Sequence, residues 1–111
     1  MLHEKLMVYR IGLGLAGEIS KEGARWPRGM GYLADQVRRA MASVCLNIAE
    51  GNARKTRAER RRFFEIARAS GAEVSACLDL VCAFGLMNET KAGSLKSTLS
   101  SMSRMLWGLM K

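Results

Sequence analysis

The stretch that decides the fold is TRAERRRFFEIARASGAEVSACLDLVCAF, residues 56–84. Within it Phe63, Ala67, Ser70, Val74, Cys77, Val81 and Phe84 recur at alternating steps of four and three, which draws one seam along an α-helix and matches no strand period. Thr56 offers a side-chain oxygen to the first turn, and Glu59 three residues on completes a capping box. Gly85 and Asn88 break the pattern at its far end.

Working outward, three more segments carry the same spacing. The first places Leu2, Leu6, Tyr9, Leu13 and Ala16 on one seam. The second places Leu33, Val37, Ala40, Val44 and Asn47 and stops at Gly51, which is expected to take a left-handed turn past the helix end. The fourth runs through Leu95, Leu99, Met102, Leu106 and Leu109. Helices of about twenty residues, each about 30 Å long, can bury such seams only against one another. The expectation is therefore all-α: an antiparallel up-down-up-down four-helix bundle forming one domain over residues 1–111. Its connections are a longer loop around Trp26, Pro27, Arg28 and Gly29, where proline forbids a helix interior, and short turns near Gly51 and Asn88.

Composition agrees. One proline in 111 residues, with 49% hydrophobic content, suits helices with a real core. Cys45, Cys77 and Cys82 are odd in number and lack paired short spacing, so they read as reduced thiols, without a disulfide framework or a metal site. Charges interrupt every apolar run before it reaches membrane-spanning length, and Glu4 and Glu18 flank the one run that mimics a leader. A cytoplasmic protein without membrane association is expected. The net charge of +8 points to polyanions, although solubility alone would also account for it.

Gly12, Gly14 and Gly17 match a dinucleotide fingerprint, but residues 18–35 offer no second strand to carry the acidic ribose ligand. No cofactor is expected, and these glycines are read as close-packing positions on the first helix. The arginines are more informative. Nine of the eighteen cationic residues lie between Arg38 and Arg68, opposed there only by Glu50, Glu59 and Glu65. At about 100° per residue, Arg54, Arg57, Arg61 and Arg68 share a stripe about 130° from the seam of the third segment. Guanidinium forks suit phosphate oxygens, so this stripe is the candidate nucleic-acid contact; the plainer reading is a solvated face with local Glu–Arg pairs. Phe64 falls between stripe and seam and is expected at a subunit interface, with base stacking as the alternative.

Asn47 stands on the second seam where an apolar residue belongs, beside a polar line of Gln36, Ser43 and Glu50. Such a line can set register and subunit docking. A carboxylate at Glu50, close to a helix end, calls for a compensating cation or hydrogen bond. Acid–base chemistry by Glu50 with Glu73 is the competing reading, but no nucleophile or ligand set accompanies them, and His3 is the only histidine. An enzyme is not expected.

The runs from Gln36 to Ser43, Asn47 to Gly51 and Arg62 to Ala67, followed by Ser70, Gly71 and Glu73, resemble the four-helix-bundle family first noticed as reading frames inside intervening sequences of bacterial 23S ribosomal RNA genes. The Asn-Ile-Ala-Glu-Gly run is its most specific part, and the resemblance spans about residues 26–86. It implies a ring-like homopentamer and no catalytic residues. Through more distant relatives it implies accessory subunits that bind nucleic acid for the reverse transcriptases of diversity-generating retroelements. Relatives often carry an acidic residue soon after the loop proline, where Arg28 and Gly29 stand here. The expected function is a homo-oligomeric module that binds RNA or DNA backbone through the basic helix face. The alternative is a homo-oligomeric scaffold for a protein partner, a reverse transcriptase or another.

Overall fold

A computed structural model describes residues 2–111 and contains four long helices: α1 (Leu2–Gly23), α2 (Gly31–Ala53), α3 (Arg57–Ala83) and α4 (Glu89–Met110). A single 3₁₀ turn, Arg28–Met30, leads into α2, and no strand occurs among the described residues. Each helix packs on two neighbours, α1 and α3 both lying between α2 and α4, with α2 against α3 the most extensive pairing. This is the expected antiparallel bundle.

Its connections are built from local chemistry. Thr56 caps α3, its hydroxyl oxygen accepting the Glu59 N–H at 3.2 Å while its O–H donates to the Glu59 carboxylate at 3.0 Å. Asn88 caps α4 by accepting the Lys91 N–H at 2.7 Å. Between them α3 ends in a Schellman motif: Leu86 N–H donates to the Val81 carbonyl, Gly85 N–H donates to the Cys82 carbonyl, and Gly85 is left-handed at φ 74°. Gly51 does not play that part. It lies inside α2, which runs on to Ala53, and Gly85 is the only positive-φ residue among those described. Gly51 is needed for space, because a Cβ there would stand 2.4 Å from Cε1 of Phe64.

The fourth seam is buried as expected, and the second is buried through Val44, with Asn47 half-buried. The third shifts by one residue at its start: Phe64 is fully buried, whereas Phe63 is half-buried and Phe84 is exposed. Neighbouring residues on a helix point about 100° apart, so the aromatic pair offers two candidates, and the hollow above Gly51 selects Phe64. Phe64 is thus a core residue, available neither to a subunit interface nor to a base.

The largest correction falls on α1. Its core line is Val8, Gly12, Leu15 and Ile19, while Leu2, Leu6 and Leu13 of the expected seam are exposed, with Tyr9 and Ala16 half-buried. α1 carries two apolar lines, both with helical spacing, and the inner one is hidden from a hydropathy reading because a glycine occupies it. Gly12 lets Met102 and Cys45 close in; a Cβ there would meet them at 3.0 and 3.3 Å. Gly14 and Gly17 have nothing within 4 Å of such a Cβ, so they are not close-packing positions within the chain.

Candidate nucleic-acid interface

The four arginines expected on one stripe separate into different roles. Arg54 is not on α3: it is the C-cap of α2, paired with Glu50 at 2.7 Å and Glu59 at 3.9 Å, its guanidinium 4.8 Å from the Phe63 ring centre. A three-residue turn intervenes before α3, so extending the helical wheel back to Arg54 carries it across a break. Arg57 and Arg61 do project outward from α3, Arg61 sharing a 3.2 Å ion pair with Glu65 and Arg57 making no ion pair among the described residues. Arg68 is half-buried at the α3/α4 seam. Its Nε donates to the Ser103 hydroxyl at 3.0 Å, and its guanidinium carbon lies 5.3 Å from the Trp107 ring centre.

That contact exposes what sequence reasoning missed. Trp107 is 44% exposed on α4, and Lys111 approaches the same ring to 5.7 Å. Arg104, one turn before Trp107, is exposed and bonds Ser101. Arg68 and Lys111 thus meet at one indole, and Arg57, Arg61 and Arg104 project from the same two helices, with Glu65 beside Arg61 and no acidic residue in α4 after Glu89. The signal was legible: Arg104, Trp107 and Lys111 stand at i, i+3 and i+7, a helical stripe. From Arg68 a groove of about 280 Å³ continues between α3 and α4, lined by small residues including Gly71, Ala72, Ser75, Ser100 and Ser103.

The polar line on α2 is tied within the chain, half to α3 and half to α2 itself. Gln36 donates to the Glu73 carboxylate, the Ser43 and Ser70 hydroxyls meet at 2.7 Å, and Asn47 donates to the Ser43 carbonyl of its own helix at 2.8 Å. This line sets the register of two helices of one chain. Glu50 has its compensating cation in Arg54. Glu50 and Glu73 are not brought together, since the partner of Glu73 lies fourteen residues from Glu50 along α2, about 21 Å. Cys45 and Cys77 are buried, and loss of hydration pushes both thiols above their ordinary range, with Glu73 adding to the rise at Cys77; Cys82 is half-buried. Raised thiol values favour the unreactive protonated form. Among the described residues no group of three or more His, Cys, Asp or Glu is placed to hold a metal ion, and no helix is long and apolar enough to cross a membrane.

A four-helix bundle with a basic flank defines a class of small all-α proteins that comparison makes specific. The model of the family described as 23S rRNA-intervening sequence protein matches residues 4–108, and the chain belongs to that family. The match takes in α1 and α4, beyond the run of residues that carried the resemblance. A crystal structure of a protein of unknown function from the S23 ribosomal protein family of Bacteroides thetaiotaomicron VPI-5482 superposes with a TM-score of 0.87, covering 96% of this chain and 97% of that one at 17% identity. At that identity the likeness concerns the fold. No curated protein matches the chain.

Proposed function

We propose that this protein is a non-enzymatic, homo-oligomeric cytoplasmic module that binds the backbone of RNA or DNA through the α3/α4 flank. The observation that carries the reading is the placement of Arg57, Arg61, Arg68, Arg104 and Lys111 on two adjoining helices, Arg68 and Lys111 meeting at Trp107, with Glu65 beside Arg61 and Asp79 already paired with Lys96. A surface of that charge releases condensed counterions from a polyanion, so affinity falls steeply with salt and depends little on sequence. Fluorescence anisotropy with mixed-sequence RNA and DNA at low salt, repeated at rising salt, tests it; absence of binding to both at low salt overturns it.

Self-association is supported by the outer line of α1. Leu2, Leu6 and Leu13 are exposed on the side toward α2, where Asn52 donates to the Lys5 carbonyl and Arg38 to Ser20. That register sets Leu13 level with Leu46, itself 66% exposed. Gly17 and Ala42, small and at the same surface, leave room for another helix to approach. Exposed leucines on two adjoining helices, with small residues beside them, suit an association surface and agree with the pentameric ring the resemblance implies. Sedimentation analysis of the purified chain reads the assembly state directly.

A second reading, a scaffold for a protein partner, draws on the other flank of α3, where Ile66, Leu80 and Phe84 are exposed. Capture at high salt after nuclease treatment separates the two: a protein retained there favours the scaffold, and loss of all bound material favours nucleic acid.

A further inference from the structure

A surface that held only phosphates would need cations and hydroxyls. This flank also holds an aromatic plane. Trp107 is the sole aromatic residue of α4, it is nearly half exposed, and burial in the core, which would explain an indole there without any ligand, is excluded by its position. Arg68 is fastened by its Nε to Ser103, which leaves its terminal amino groups to meet a ligand while its carbon lies 5.3 Å from the ring centre. Lys111 is exposed and flexible by its length, so its ammonium can give way to a planar group and turn to a neighbouring phosphate.

α3 and α4 are antiparallel, so the direction from Arg68 toward Trp107 also leads to Arg61 and Arg57, about two turns and about three turns back along α3. In the opposite direction lies the groove of about 280 Å³, whose small side chains leave a shallow channel with hydroxyls of Ser75, Ser100 and Ser103 along it. Cations, one indole and a hydroxyl-lined channel therefore form a single track. In a duplex the base faces are hidden in the stack, and an exposed indole gains nothing from them. An unpaired base offers its face freely, and stacking of this kind tolerates any sequence.

We infer that the α3/α4 track binds a single-stranded nucleic-acid segment, with one unpaired base lying on Trp107 and the flanking phosphates held by Arg61, Arg68 and Lys111. The inference rests on the nucleic-acid reading above and narrows it. Because a duplex carries the higher charge density, a surface using charge alone favours duplex, so a preference for single strands has to come from stacking.

The test uses the full chain and fluorescence anisotropy at low salt with an unstructured oligo(dT) or oligo(rU), an abasic strand of equal length, and a duplex of equal length. The wild type is expected to favour the base-bearing single strand over the duplex, and Trp107→Ala to lose about tenfold on that strand while leaving abasic binding unchanged. Trp107→Phe, which keeps a stacking plane, is expected to retain most of the affinity, with circular dichroism confirming that each variant is folded. Equal loss on base-bearing and abasic strands would mean that Trp107 only steadies Arg68, and this outcome, or equal binding of duplex and single strand, overturns the inference while the backbone reading stands. Failure of all three probes to bind the wild type overturns the backbone reading itself.

Discussion

The two solvent faces on opposite sides of this bundle differ in what they withhold from water. The α1/α2 face leaves Leu2, Leu6, Leu13 and Leu46 uncovered and carries small residues among them, whereas the α3/α4 face gathers cations around a single indole. Both sit on helices whose inner seams are satisfied within the chain, so neither is a by-product of making the core. The difference teaches that one bundle can be apolar on one side and cationic on the other without either disturbing the core, because the two surfaces share no residue.

The sharpest way to break that division is to invert the charge of one face. Arg57→Glu combined with Arg61→Glu is expected to lower RNA and DNA affinity by about 100-fold or more at low salt, read by anisotropy, while helicity and melting temperature hold. Both side chains are exposed, and the ion pair lost with Arg61 is a surface pair of little weight. If affinity survives, the flank is a solvated surface and nothing more.

The other face is tested by Leu6→Glu with Leu13→Glu. Sedimentation is expected to show the assembly falling to single chains, with nucleic-acid affinity reduced only by the lost repetition of sites. Retention of the assembly would move the association surface elsewhere on the bundle.

Inside the chain, the contrast sharpens at its glycines. Gly51→Ala drives a methyl into the Phe64 ring and is expected to destabilise by about 1–3 kcal/mol in denaturant unfolding, partly restored when Phe64→Leu accompanies it. Gly14→Ala meets nothing and is expected to stabilise by about 1 kcal/mol through helix propensity. The same change in sequence thus has opposite signs at a packed and an open position.

The smallest expected effect is that of pH. Cys45 and Cys77 hold their protons more tightly when folded than when unfolded, so the unfolded chain ionises first as pH rises. Their contribution to stability is intact below the ordinary thiol value of 9.0 and diminishes as pH climbs from there toward the folded values. Unfolding midpoints at neutral and alkaline pH check this, with Cys45→Ala and Cys77→Ala together flattening the dependence. Thiol labelling at neutral pH should take Cys82 first, since it alone of the three is not buried.

The helices, their order and the cap at Thr56 could be read from spacing and local chemistry, because an α-helix repeats every 3.6 residues and a cap involves residues three apart. The compensation of Glu50 was equally readable, since its cation is four residues away at Arg54. Spacing reveals that a line of like residues exists, and it is silent on what the line faces. α1 has two such lines, and only Met102 and Cys45 closing over Gly12 decide which one is inside. Phe63 and Phe64 are equal candidates until the hollow at Gly51 selects one. Trp107 joins Arg68 across thirty-nine positions of chain, a meeting that depends on how α3 and α4 are laid side by side. Periodicity is a property of one helix and was determined by the sequence alone; burial and juxtaposition are properties of pairs of helices, and packing decided them.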